Sequence, residues 1–521
     1  MKTVSQHPSS CVWSPLLSIG IISSLVSLLI GPLAFSQSNN QTSERPNEGS
    51  LFGGADSKAP SPLPAETLTG KHRDSEELGS ARPERDAFAS GEVKDNPLQI
   101  GGTFYQRMNM SFQQGVTTGD TPLSMPLQFD AFLDSRPSDR IRGFIDERLL
   151  FDSTRDQYGK TTNGTSAGSS QFSSGGAAPQ GAFGPPATPV PNNPQMVLDQ
   201  AWIKFDIDRT VFVTAGKQHV KWGSSRYWNP TDFLNTQKLD PLLPYDLRLG
   251  SSMLKLELPL EAHQTNVYAI TTFDNPQPAS TLGQMGEALR VEKVIGHAEV
   301  GLDAIYRGGV APTYGADVST PLGPFDVYAD VAYLTAPPNS IYQIPNGLVS
   351  GADLSNQYTT TGLQGGQFQT SCGINYSFAW KENRQATIGT EYFYNQNGYT
   401  NSSAYPILIF LGQYQPFYTG RQYAAVYLTA EGPDAEKHTS YTFSTIGNLS
   451  DSTFVSRVDF SWRLLTYLTF EAYVDGHYGA QGGEFNFALA TPTLTYHGST
   501  IPSANIPASV VDLGMSLRLG F

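Results

Sequence analysis

The chain is 521 residues long, with 39% hydrophobic residues, a mean hydropathy of −0.29, a formal net charge of −14 and a pI near 5.0. Those values exclude a bundle of membrane helices and argue against nucleic acid as a partner, because phosphate binding needs a basic surface and no basic stripe relieves the acidity. Aromatic residues reach 11%, beside 50 Gly, whereas charged residues stay at 15%, below the roughly 25% of globular proteins, a balance that suits strands and turns.

Residues 16 to 30, LLSIGIISSLVSLLI, form an apolar stretch preceded by Lys2 and followed by Ala34, Phe35 and Ser36. That small-x-small pattern predicts a signal peptide over residues 1–36, cleaved before Gln37. An uncleaved anchor is the alternative, but the apolar core is shorter than the roughly 20 residues a helical span requires. Cys11 precedes this core, the wrong place for a lipoprotein cleavage site, and removal of 1–36 leaves Cys372 as the single cysteine. An internal disulfide is then impossible, and one Cys cannot build a zinc site by itself. Residues 37–97 are polar, charged and proline-bearing, with no sustained periodicity, and read as a flexible leader, with a small plug as the alternative.

From Gln99 the pattern changes to strand after strand. IGGTFYQRMNMSF sets Ile100, Phe104, Met108 and Phe112 against Thr103, Tyr105, Arg107 and Asn109. FQTSCGINYSFAW does so more cleanly, with Phe368, Cys372, Ile374, Tyr376 and Trp380 on one face and Gln369, Ser371, Asn375 and Ser377 on the other. One face suits lipid and the other water, and each such run is about the 9 to 11 residues that a tilted strand needs to cross a bilayer. Short links at 136–139, 208–210, 321–324, 381–384 and 464–467 alternate with long ones at 153–196, 222–247, 274–287, 336–366, 396–418 and 480–508. This predicts an all-β fold over 98–521, a transmembrane antiparallel up-and-down β-barrel of about 18 strands. Sixteen is the alternative, because residues 287 to 320 are weakly patterned. Sheet edges open to lipid are too costly, so the last strand must pair with the first.

The last strand, VVDLGMSLRLGF, alternates Val511, Leu513, Met515, Leu517, Leu519 and Phe521 with polar or small residues. DLGMSLRLGF resembles the carboxy-terminal signal of bacterial outer-membrane barrels, carried here by Gly514, Leu517, Leu519 and Phe521. The resemblance implies a Gram-negative outer-membrane location, contact with outer-membrane lipid and recognition by the barrel assembly machinery, and it makes 37–97 a periplasmic leader. AGKQHVKWGSSRYWNPTDFLN, residues 215 to 235, resembles the Gly-Arg-Gln strand and Trp-Gly turn of large porin-like outer-membrane proteins, with Lys217 in the arginine place. That departure means no named substrate is carried over.

The same stretch holds the densest chemistry. If Phe212, Thr214, Gly216, Val220 and Trp222 face outward, then Lys217, His219 and Lys221 point into the lumen. The long link that follows carries Arg226, Trp228 and Asp232, and the next strand offers Lys255 and Glu257. Such a loop could fold inward and narrow a pore, its aromatic residues touching a solute. The plainer alternative is that the tryptophans anchor the loop and the cations satisfy buried acids. Arg107, Arg142 and Arg290 in the first half, and Asp326, Asp330, Glu391, Asp459, Glu471 and Asp475 in the second, are further inward candidates that could set opposite charges on opposing walls. His219, His297, His438, His477 and His497 sit in no recognisable nucleophile motif, and there is no G-x-S-x-G or H-E-x-x-H. The expectation is therefore a channel passing small hydrophilic solutes, not an enzyme, with no cofactor or metal and with a homo-oligomer left open. A structural or adhesion barrel with a closed lumen is the alternative, and a barrel-embedded hydrolase a weaker one.

Overall fold

The computed structural model describes residues 97–154 and 193–521, apart from 236, 244–245, 275–278, 280, 309, 337–339, 346, 363–364, 382–383, 434–437, 497 and 502. The expected signal peptide, nearly all of the expected leader and most of the link at 153–196 lie outside the described residues.

Period-two segments become strands because one face meets lipid and the other the interior. The first six are β1 (Leu98–Gln113), β2 (Pro126–Ser138), β3 (Ile141–Asp152), β4 (Gln195–Ile207), β5 (Val211–Gln218) and β6 (Ser251–Leu260). Next come β7 (Thr265–Thr272), β8 (Gly286–Ile295), β9 (Ala298–Arg307), β10 (Val310–Leu322), β11 (Phe325–Leu334) and β12 (Gln367–Lys381). The set ends with β13 (Arg384–Asn395), β14 (Gln422–Glu431), β15 (Thr439–Asn448), β16 (Thr453–Leu465), β17 (Leu468–Gly479) and β18 (Ser509–Gly520). Each pairs antiparallel with its chain neighbour, and β18 pairs with β1, closing an 18-stranded barrel. Two features made 287–320 hard to read. β9 and β10 are joined by residues 308 and 309 alone, and Pro312 and Pro321 interrupt the alternation near both ends of β10.

The closing register sets Phe104 opposite Leu519 and Met108 opposite Met515. Phe521 extends it, its N–H donating to the Gly102 carbonyl at 3.1 Å and its carbonyl accepting from the Gly102 N–H at 2.9 Å. Its ring stacks on Phe129 at 6.0 Å, and a Cβ at Gly102 would come within 2.7 Å of it, so this glycine admits the ring. Leu517, Leu519, Ile374, Ile203 and Val458 are exposed on the outer face, whereas Asp130, Arg148, Asp317, Asp330, Glu391 and Ser516 are buried inside.

Short turns close one end of the barrel. At 208–210 Asp208 and Arg209 adopt left-handed φ of 51° and 54°, and the Asp206 carboxylate holds the turn by accepting from the Arg209 N–H at 2.8 Å. At the other end three long connections share an apolar core. Tyr405, Ile407, Leu408, Ile409 and Phe410, from the helix Tyr405–Phe410, pack with Leu354, Tyr414, Phe487, Leu489 and Leu494. Small hairpins stiffen these connections: Ser340–Gln343 with Thr359–Gly362, Leu489–Thr491 with Ala504–Ile506, and Leu494–Tyr496 with Ser499–Ile501.

Candidate permeation pathway

The connection between β5 and β6, residues 219–250, does not stay at the rim. Near its end it is tied to the wall, the Gly250 N–H donating to Asp199 Oδ1 at 3.1 Å, and within the loop the Asn235 amide donates to the Val220 carbonyl at 2.8 Å. Arg148 joins both sides, donating to the Leu247 carbonyl at 2.8 Å, to Asp199 at 2.8 Å and to Asp130 at 3.1 Å. Its middle reaches other strands. The N–H groups of Ser224 and Ser225 donate to the two oxygens of Asp330 on β11, at 2.9 and 3.2 Å. Those of Arg226, Tyr227 and Trp228 donate to Glu391 on β13, at 2.9, 3.1 and 2.8 Å.

Successive backbone N–H groups turned to one side make a nest for an anion, and here each nest holds a wall carboxylate. Gly223, at φ 91°, starts the turn, and a Cβ there would strike Thr231 and Asp330. The Tyr328 hydroxyl at 2.8 Å and the Ser371 hydroxyl at 3.1 Å complete the coordination of Glu391. Trp228 is fully buried, parallel to Phe393 at 5.9 Å, and its indole N–H donates to the Phe417 carbonyl at 2.9 Å. Within the loop Arg248 pairs with Asp232 at 2.9 Å and with Asp246 at 2.6 Å. Burial pushes the Asp246 carboxyl up, but the Arg248 hydrogen bonds outweigh it and hold the group below its usual value.

The inserted loop does not fill the lumen. Between it and the wall made by β1 and β15–β18 a cavity of about 450 Å³ remains. Arg107, Lys221, Arg226 and Arg457 line it, and so do Asp240, Asp246, Asp459 and Glu471. Tyr105, Tyr227, Tyr473 and Phe460 supply aromatic faces among them. Rings also position two of the cations: the Arg226 guanidinium lies 4.0 Å from the ring centre of Tyr427, which does not line the cavity, and that of Arg457 lies 3.8 Å from Tyr473. Arg457 also donates to Asp459 at 2.7 Å.

The chain is similar to a bacterial porin among solved structures. A mutant porin of Rhodopseudomonas blastica shares 9% identity at a TM-score of 0.36, over 81% of this chain and 100% of its own. OprB of Pseudomonas putida shares 11% at 0.41, over 82% of this chain and 96% of its own. OccAB1 of Acinetobacter baumannii shares 10% at 0.44, over 82% and 97%. No protein-family model and no curated protein matches the chain.

Of the residues singled out from the sequence, Arg107, Lys221 and Arg226 border the cavity, as do the inward candidates Asp459 and Glu471, whereas Lys217, His219, Trp228, Asp232, Lys255 and Glu257 do not line it. Lys217 is not inward. β5 turns Phe212, Thr214, Gly216 and Gln218 to the interior, the reverse of the expected facing, because Phe212 pairs across from lumenal Asp206 and carries Lys204 Nζ 5.4 Å from its ring centre. Lys217 therefore shares the face of Ala215, and its ammonium donates to the Leu198 carbonyl at 2.6 Å. His219 lies beyond the end of β5, 2.8 Å from Asp199. Trp228 and Asp232 anchor the loop, while Lys255 and Glu257 lie on the inner face of β6 with Met253, Lys255 being 5.9 Å from the Tyr268 ring centre.

Charge is not divided between an early basic wall and a late acidic one. Arg290 is buried among Glu292, Asp303 and Asp317, and Arg142 pairs with Asp134 at 2.8 Å. Sequence reasoning passed over Arg457, although it stands two places before the inward candidate Asp459 on one strand and so shares its face. Asp240 and Asp246 carried no signal, since an irregular loop has no periodicity from which to infer direction.

Proposed function

We propose that the protein is a porin-like channel of the Gram-negative outer membrane that lets small hydrophilic solutes diffuse across. The observation that carries this reading is the cavity beside the inserted loop. A barrel whose only task is structural gains nothing from charges of both signs held against an open cavity, whereas a solute stripped of part of its hydration needs such groups as replacements. Tyrosine faces beside the charges offer contacts to the apolar side of a solute, and Arg107, Lys221 and Arg226 form the basic part of the pathway. Gly514, Leu517, Leu519 and Phe521 serve as the signal read by the assembly machinery, supported by their place on the closing strand.

Reconstitution into planar bilayers tests the proposal. Discrete single-channel steps, persisting when small sugars or amino acids replace part of the electrolyte, are the expected result. A correctly folded, heat-modifiable protein that gives no steps would favour the closed-lumen reading instead.

A further inference from the structure

The permeation pathway makes no use of a group of side chains at the loop end of the seam between β17 and β18. Asp475 and His477 stand at alternate positions of β17, and Asp512 on β18 is the cross-strand partner of Asp475. All three are buried, and one ligand atom from each lies within 4.8 Å of the other two.

His477 Nδ1 lies 3.0 Å from the Phe485 carbonyl oxygen. A carbonyl only accepts, so Nδ1 carries the proton, and in a neutral ring Nε2 then holds a lone pair. That atom faces Asp512 Oδ2 at 3.0 Å. Two acceptors at this distance need a proton, on the ring or on the carboxyl, or a metal ion between them. A proton answers for that pair alone. Asp475 Oδ2 accepts from Arg457 at 3.2 Å, but Asp475 Oδ1, on a side chain with no exposure, meets no hydrogen-bond donor among the described residues. Leaving such an oxygen buried and unsatisfied is costly, and a cation shared by the three residues removes the cost.

We propose that Asp475, His477 and Asp512 bind one divalent transition-metal ion of the zinc type. An imidazole nitrogen with two carboxylates is a donor set for zinc and its neighbours, whereas calcium and magnesium favour oxygen-only sets with more ligands. The Phe485 carbonyl fixes the ring and its tautomer as outer partners of metal-bound histidines do, and Ser509, donating to Asp512 Oδ1 at 2.6 Å, fixes the second carboxylate. Arg457 offsets part of the acidic charge, and the Asp512 side chain keeps 11% exposure, which gives an ion a way in.

The test uses the protein purified without a polyhistidine tag, stripped with chelator and titrated with Zn²⁺ by calorimetry, with Co²⁺ absorption as a second readout. One equivalent of Zn²⁺ should bind, Co²⁺ should give ligand-field bands of a nitrogen-containing site, and His477→Gln and Asp475→Asn should each weaken binding about tenfold or more. Heat-modifiable mobility checks that each variant is a folded barrel; if His477→Gln does not fold, Asp475→Asn decides, since its amide oxygen can still accept from Arg457. Absence of stoichiometric uptake by the parent, or uptake unchanged in the folded variants, overturns the proposal and leaves a proton between His477 and Asp512.

Discussion

Lys217 and Lys221 are four positions apart and meet different surroundings: one lies on the outer face, hydrogen-bonded to a backbone carbonyl, and the other borders the cavity. Reversing the charge of Lys221 together with Arg226, both to Glu, should shift the reversal potential in a salt gradient toward cations. Charges in a narrow, partly dewatered lumen act at lower effective dielectric than charges in bulk water. The shift should shrink between about 0.1 M and 1 M salt, as the screening length falls from about 10 Å to about 3 Å. Lys217→Glu should leave the potential at the parent value. An equal shift from Lys217→Glu would show that the facing of β5 is wrong. The single-residue error made in reading this strand has a plain origin: an aromatic at 212 was assigned to lipid, and in a period-two structure one such choice reverses every neighbour.

At the scale of the element, the loop 219–250 owes its position to two carboxylates that lie far from it in sequence. Glu391 accepts from three consecutive backbone N–H groups and two hydroxyls. Hydrogen bonds to a charged group contribute about 1.5–3 kcal/mol each, so Glu391→Ala should release the middle of the loop without dismantling the barrel. Larger and noisier single-channel steps are expected, with unchanged heat-modifiability; steps of parental size and quietness would show that Trp228 and its neighbours suffice to hold the loop. Much of the barrel was legible because lipid on one side and water on the other impose an alternation that survives in Phe368, Ile374 and Tyr376 or in Leu513, Met515 and Leu517. The length and aromatic content of the loop were legible too. Its anchorage was not, because nothing in the vicinity of Ser224 to Trp228 marks Asp330 or Glu391 as partners, and backbone donors leave no trace in residue type.

At the scale of the whole molecule, the loops beyond the barrel are joined by a buried acidic knot. Glu484 accepts from the Phe417 N–H, from the Tyr423 hydroxyl at 2.6 Å and from the Asn448 amide at 2.8 Å, while its own N–H donates to Asp451 at 2.8 Å. Burial pushes the Glu484 carboxyl up to about 8 from an ordinary 4.5, and the nearby Asp451 adds to the rise. A carboxyl with a raised value in the folded state binds its proton more tightly there, so its contribution to stability is complete below pH 4.5 and declines as pH rises toward about 8. Protease cleavage within 396–421 or 480–508 should accordingly become easier across that window, and Glu484→Gln should flatten the trend; a parent profile independent of pH would refute it. The seam between β1 and β18 carries a different consequence. Ser111 and Ser509 touch at 3.0 Å across 398 positions of chain, whereas every other barrel strand pairs with its sequence neighbour. Hairpins can therefore accumulate in chain order, and the ring is completed by a single distant event. Chain entropy is a minor obstacle to that event, since each doubling of the gap adds only about 0.6 kcal/mol. The larger obstacle is that a sheet one pairing short of completion holds two open edges in hydrocarbon, where each unpaired backbone group costs several kcal/mol. Assembly of this molecule thus has no stable halfway stage inside a bilayer, and whatever shelters those two edges until they meet governs whether the ring forms.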